Sequence, residues 1–153
     1  MSSEPPPLSL QDPRLRSWAT FLRAHARVTR QLERELVHEH GMSLAEYDVL
    51  VQLVSADDRR LRMSELADRL LLSRSGATRL VSRMEADGLL ERESCDSDRR
   101  GQWAVLTDAG YQRLRSASPT HLRGVAEHFL DRIPADELRD MERTLERVSD
   151  EAQ

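Results

Sequence analysis

In the segment RSGATRLVSRMEADG, the residues Ser75, Arg79, Ser82 and Arg83 recur at the spacing of one helical face. Shortly after it the charged stretch SCDSDRRGQW carries two adjacent arginines, Arg99 and Arg100. A guanidinium is a planar fork of N–H donors that matches phosphate oxygens and the acceptor edge of guanine, and hydroxyls add single hydrogen bonds to phosphate. The chemistry open to this set is recognition of an anionic, hydrogen-bonding surface rather than bond making. Two plainer readings use the same residues. The face is then simply solvated, and Asp96 and Asp98 neutralise Arg99 and Arg100 in a loop pairing worth little at a surface. From Ser73 to Arg100 there are six arginines and six acids, so geometry rather than net charge has to carry the first reading.

Other chemistry finds little support. No nucleophile elbow, phosphate loop or zinc-binding pair occurs, and His38 and His40, flanking Glu39, lack a third ligand at helical spacing. The expectation is a protein that is not an enzyme and holds no cofactor or metal. Cys95, the single cysteine, excludes an internal disulfide. It offers a redox switch at the start of the charged loop, but without a second cysteine to resolve an oxidised form.

The elements that must position the arginines follow from capping and periodicity. EPPPL keeps the first dozen residues out of a helix, and Asp12-Pro13 is a helix start. From there Leu15, Trp18, Leu22, His25, Thr29, Leu32 and Leu36 alternate steps of three and four, a heptad seam ended by Gly41. Ser43 and Glu46 form a capping box for a shorter helix carrying Tyr47, Leu50, Val51 and Val54, and the polar ADDRRLR breaks it. Leu66, Ala67 and Leu70 mark another short helix. Ser73 then caps RSGATRLVSRMEADG, Ala77, Leu80, Val81 and Met84 face inward, and Gly88 stops it. GLLERES and GQWAVLT read as two strands around the charged loop. Thr107 caps a long helix with Leu114, Ala117, His121, Leu122, Val125 and Phe129 inward and a break near Pro119. Pro134 opens a last helix with Leu138, Met141, Leu145 and Val148 on one seam.

Helix, turn, helix, hairpin is a winged helix. The fold class expected is mainly α with a small β-hairpin wing, a winged helix-turn-helix flanked by terminal dimerisation helices. Its expected division is a tail over 1–12, a helical dimerisation region over 13–42 and 108–151, and the winged helix-turn-helix over 43–107. Composition agrees: 153 residues, 39% apolar, only 4% aromatic and 33% charged suit one helical body with a core. The net charge of -4 excludes a uniformly basic binder, so contact with nucleic acid has to come from local clustering; all 23 Lys and Arg residues are in fact arginine. Without a signal peptide or long apolar run, the chain reads as cytoplasmic with no membrane contact. The two terminal seams predict a two-fold homodimer, which would set two such helices about one turn of double-stranded DNA apart.

The sequences ELADRLLLSRSGATRLVSRMEADGLLER and DSDRRGQWAVLTDAG resemble the MarR family of bacterial transcription regulators, over nearly all of the chain after the tail. The resemblance is most specific in the Asp-Arg-Arg wing, the GLLER leading into it and the LT.AG leaving it. It implies a dimeric winged helix, usually a repressor, that releases its operator when a small, often aromatic anion binds between the DNA-binding lobes and the dimer helices. On that pattern Ser73, Ser75, Gly76, Thr78, Arg79 and Arg83 lie in or beside the major groove, with Arg99 and Arg100 on the wing. Asp96 stands where close relatives often have Pro. Through SWATFLRAHARVTR the chain further resembles the urate-responsive branch, which implies an effector site from Trp18, Asp68, Arg100 and Arg113. An aromatic wall, a guanidinium and a carboxylate that holds it in the empty state suit a planar anion. Trp18 equally fits plain packing on the heptad seam, and Asp68 a pairing with Arg69 or Arg62. Two alternatives stay open: a winged-helix protein-interaction module, and a redox-responsive regulator using Cys95. His25, on the dimer seam, is either a satisfied histidine or a pH-sensitive one.

Overall fold

The first turn of the long helix after the hairpin contains a glycine, Gly110, because nothing larger fits. A Cβ at Gly110 would stand 2.0 Å from the Leu89 carbonyl oxygen and 2.7 Å from Leu106 Cδ1. Thr107 completes the joint: its hydroxyl donates to the Gly88 carbonyl at 2.7 Å and accepts from the Gly110 N–H at 3.0 Å, while its own N–H donates to Leu89 O. The start and end of the hairpin are thereby fastened to one helix N-terminus.

Around that joint a computed structural model describes residues 8–70, 72–95 and 98–149, the side chains of 98–100 excepted. The elements are α1 (Leu15–His40), α2 (Leu44–Val54), a 3₁₀ turn (Asp57–Arg59), β1 (Arg60–Arg62), α3 (Met63–Arg69), α4 (Arg74–Ala86), β2 (Leu90–Cys95), β3 (Asp98–Leu106), α5 (Asp108–His128), a second 3₁₀ turn (Leu130–Arg132) and α6 (Ala135–Ser149). Local signals set most boundaries. Gly41, at φ +59°, closes α1, the Ser43–Glu46 box opens α2, and the Ser73 hydroxyl accepts from Gly76 N–H to open α4. At the start of α1 the Asp12 carboxylate accepts from the Arg14 N–H at 2.8 Å, with regular helix beginning two residues beyond Pro13.

The polar ADDRRLR holds more than a break. Asp58 and Arg59 both take left-handed φ, 54° and 52°, a conformation that costs non-glycine residues energy. Beyond that turn Arg60–Arg62 forms an antiparallel pair with β3, giving a three-stranded sheet in the order β1-β3-β2. Leu61, Ala104, Leu90 and Leu106 point from the sheet into the core. There they meet Leu50, Leu53, Leu66, Leu80, Val81 and Met84 from α2, α3 and α4.

Helix α1 joins this core only at its C-terminal end, where Leu32 and Leu36 are buried. Opposite them α5 presents small residues: Ala117, Thr120 and Gly124 are buried, and a Cβ on Gly124 would stand 2.6 Å from Glu35 Oε2 and 2.7 Å from Leu32 Cδ2. This face differs from the one expected, since Leu122 points outward at 62% exposure. Nor does Pro119 interrupt α5. It and Arg115, whose carbonyl it leaves without a helical N–H, lie on the exposed side, where water can satisfy that carbonyl. Helix α6 buries no residue within the chain.

The Gly110 contact makes a stability prediction. Gly110→Ala meets backbone that cannot rotate aside, and should lower unfolding free energy by about 3 kcal/mol in urea titration with an unchanged slope. Gly88→Ala, where a Cβ meets open space but φ is +74°, should cost only about 1 kcal/mol. Equal losses at the two positions would refute the close approach at Gly110.

Candidate nucleic-acid interface

Helix α4 turns Ala77, Leu80, Val81 and Met84 into the core, which leaves Arg74, Ser75, Thr78, Arg79, Ser82 and Arg83 exposed. Among the described residues no carboxylate lies within ion-pairing distance of Arg74, Arg79 or Arg83. The acids nearby are used elsewhere, Glu65 by Arg69 at 2.7 Å and Glu85 by Arg92 at 3.4 Å. The face therefore carries three guanidiniums without a carboxylate partner, spread from Arg74 in the first turn, where unpaired backbone N–H groups add positive potential, through Arg79 to Arg83 in the last turn.

The hydroxyls divide by role. Ser73 is the N-cap, with its oxygen also 3.2 Å from Ser75 Oγ, and half-buried Gly76 follows in the first turn, where a Cβ would press on Ser73 Oγ at 3.1 Å. Thr78 Oγ1 donates back to Arg74 O and Ser82 Oγ to Thr78 O, both at 2.8 Å. Such back-bonding leaves each oxygen's acceptor capacity free. Arg92, from β2, fills that capacity on Ser82. Sequence periodicity placed Ser82 on the exposed face but gave no sign of Arg92, whose partner lies ten residues away on another element.

The wing rises beside α4. The backbone of Arg99 and Arg100 is in β3, while their side chains, like Asp96, lie outside the described residues. On the outer face of the sheet Arg60 and Arg62 stack on the Trp103 ring at 4.7 and 5.2 Å, and Arg59 covers Tyr111 at 4.3 Å. Cys95 is 5% exposed, poorly placed for an oxidant to reach.

Of the residues assigned to an effector site, Trp18 and Arg113 are not neighbours in one chain. Trp18 is 58% exposed on the N-terminal half of α1, its ring 6.1 Å from Phe21. Arg113 donates to the His40 carbonyl at the opposite end of that helix. Twenty-two residues of helix separate Trp18 from His40, about 33 Å at the usual rise. Asp68 is exposed on α3, and Arg69 pairs with Glu65 rather than with it. The Arg100 side chain is outside the described residues. His25 is exposed beside Phe21, 6.3 Å between rings.

A polar seam that the sequence did not reveal joins α1 to α5. Thr120 Oγ1 donates to Glu39 Oε2 at 2.8 Å, so His40 Nε2, 2.8 Å from the same oxygen, is the donor there. His40 is thus half-buried and engaged, not free at the surface. The Thr120 hydrogen bond, more than Arg123 at 2.6 Å, holds the Glu39 carboxyl below its ordinary pKa. Next to this seam Tyr47 stacks on His121 at 4.2 Å and donates to Ser118 Oγ. Burial pushes the His121 pKa down from 6.5, and its Nδ1 has no hydrogen-bond partner.

Helix α3, a turn, helix α4 and a hairpin sharing its second strand with β1 define a winged helix-turn-helix. The model of the MarR family matches residues 40–101. The chain is similar to the transcriptional regulator YkoM of Bacillus subtilis, 31% identical over 112 residues that span 73% of this chain and 71% of YkoM. Two Streptomyces coelicolor structures resemble it at 34% identity over 94% of the chain. These are AbsC, a MarR family transcriptional regulator, with 96% of its chain covered and a TM-score of 0.85, and Sco3205, crystallised with DNA, with 90% covered and 0.86. The chain belongs to the MarR family of transcriptional regulators. Among its described residues no helix is long and apolar enough to cross a membrane.

The His121 site predicts a pH dependence. A histidine with a lowered folded pKa binds fewer protons folded than unfolded, so stability is full above about pH 6.5 and falls as pH drops below it. His121→Phe keeps a ring on Tyr47 and removes the titration. Urea unfolding at about pH 7.5 and about pH 5.5 should show a smaller acid loss in the variant than in the parent; an unchanged loss would show that His121 does not titrate.

Proposed function

We propose that the chain is a homodimeric repressor that binds a pseudo-palindromic operator in double-stranded DNA through α4 and the wing, and lets go when a small anionic, urate-like effector binds. The observation that carries this reading is that Arg74, Arg79 and Arg83 stand exposed on α4 beside Ser75 and Thr78 with no carboxylate partner among the described residues, the exposed Glu85 being engaged by Arg92. On this reading Arg79 and Arg83 reach base edges or phosphates, Ser73 and Gly76 shape the helix start, and Arg99 and Arg100, whose side chains lie outside the described residues, serve the adjacent minor groove. The DNA-bound state of Sco3205 supports the same role here.

Dimerisation is assigned to 13–42 and 108–151 and DNA binding to 43–107; of the expected tail over 1–12, residues 1–7 lie outside the described residues, as do 150 and 151. Support comes from apolar surface left uncovered within the chain. Phe21, Val28, Val125, Phe129, Met141 and Leu145 line a groove of about 570 Å³ between α1, α5 and α6, and burying such a surface is the ordinary driving force for a symmetric pair. The effector reading keeps Trp18, Asp68, Arg100 and Arg113, but the separation along α1 requires that Trp18 come from one protomer and Arg113 from the other.

Mobility shift against the DNA flanking the gene, at fixed salt, tests the central claim. Arg79→Ala and Arg83→Ala should each weaken binding by about 1–3 kcal/mol where they read a base, and a phosphate contact should instead reduce the salt slope by about one. Unchanged affinity in both variants would reject α4 as the reading element. Urate should release the parent protein but neither Trp18→Ala nor Arg113→Ala. Mixed dimers of the two variants regain one intact site if the pocket spans protomers, and stay unresponsive if each pocket lies within one chain.

A further inference from the structure

We propose that Arg92 is a positioning residue that fixes the angle between helix α4 and the wing, so that both reach DNA as one body; this rests on the DNA-binding reading above. Arg92 leaves β2 at the inner face of the sheet, opposite Ala104. Its guanidinium spans two turns of α4: it donates to Ser82 Oγ, reaches the Thr78 carbonyl at 3.5 Å and lies 3.4 Å from Glu85 Oε2. Glu85 grips the same residue twice, because its other oxygen accepts from the Arg92 backbone N–H at 3.3 Å. Thr78, Ser82 and Glu85 follow the stripe i, i+4, i+7 along the helix, so one side chain holds three successive levels of α4 against the first strand of the wing.

The chemistry requires a guanidinium. The Ser82 hydroxyl proton is committed to Thr78 O, so the only capacity left on that oxygen is as an acceptor. The planar fork serves Ser82 by a hydrogen bond and Glu85 by charge, its Nε lying 3.4 Å from Oε2 without a hydrogen bond; a lysine could reach Ser82 or Glu85 but not both. The Arg92 side chain is only 20% exposed, which shields these bonds from solvent competition and stiffens them. Arg92 lies against the Thr78–Ser82–Glu85 edge of the exposed side of α4 and turns its guanidinium to the helix, so its effect on DNA is assigned to geometry. Without the strut the hairpin remains attached at Thr107 and Gly110 but can tilt about that root, and an arginine at its tip no longer meets the groove that α4 selects.

A double-mutant cycle on operator affinity tests this, using the duplex that the parent protein enriches from a random pool. In the parent, Arg99→Gln should weaken binding by about tenfold. In an Arg92→Gln background, already weakened, the same substitution should cost less than about twofold, because the wing is no longer held in place. Arg92→Lys, which keeps charge and bulk, should show the same loss of coupling and serves if the glutamine variant fails to fold. Leu36→Val, a core change in α1 remote from α4, controls for lowered stability and should leave the full Arg99→Gln effect. Additive losses for Arg92 and Arg99 with a binding parent would overturn the strut and leave DNA recognition standing. A parent that enriches no duplex would overturn both.

Discussion

The structure depends on one close approach, that of Gly110 to the Leu89 carbonyl. Within a few residues of that contact lie the end of α4 at Gly88, the start of β2, the end of β3 and the first turn of α5, and the Thr107 hydroxyl bonds across them. A side chain at position 110 would push α5 off the root of the wing. Because it is glycine, α5 and the hairpin share a backbone-to-backbone contact, which has fewer ways to shift than a contact between side chains. Whatever orients α5 also orients the wing, and through Arg92 the wing is tied to α4.

The other end of α5 is joined to α1 by a different kind of contact. Gly124 lets the helices come close, and Glu39, His40, Thr120, Arg123, Glu35 and His128 form hydrogen bonds and ion pairs across the seam. Exposed members of this set add little stability, but directional bonds select one register where apolar contact would accept several. Arginine use follows the same division. Arg59, Arg60 and Arg62 lie on aromatic rings, Arg92 braces α4, and Arg113 and Arg123 close the α1–α5 seam. Arg74, Arg79 and Arg83 are what remains at the face of α4. A chain of net charge -4 can thus present a local cationic face without being basic.

What was legible in the sequence was local. As caps, Ser43 with Glu46, Ser73, Thr107, Gly41 and Gly88 work on the residues next to them, so helix starts and stops could be read from their chemistry, while the Thr107 bond to Gly88, nineteen residues away, could not. The inward face of α4 was legible too, because four apolar residues at helical spacing leave one solution. The short strand β1 was not. It contributes a single inward residue, Leu61, and exists because β3 offers an edge more than forty positions away. The same distance hid the His40–Thr120 bond, 80 residues apart, and the orientation of α5, where small Gly124 rather than large Leu122 faces α1. Periodicity marks a stripe; close packing of helices decides which stripe is used. The heptad seam of α1 shows the converse, since only Leu32 and Leu36 of it find cover within the chain.

That partial cover says where a regulator of this shape can move. A ligand shifts an equilibrium only by binding one arrangement better than another, and the joints at Gly110 and along the α1–α5 seam leave little room for two arrangements inside one chain. The N-terminal half of α1 and all of α6 hold no buried residue within the chain. In the proposed dimer they are the surfaces that meet, so the adjustable part is the angle between two rigid protomers. A small change there is carried along α1 and α5 to both α4 helices, and it alters their separation relative to the fixed repeat of the major groove. An effector bridging Trp18 of one chain and Arg113 of the other would act directly on that angle, which is the physical reason for placing it between chains rather than within one.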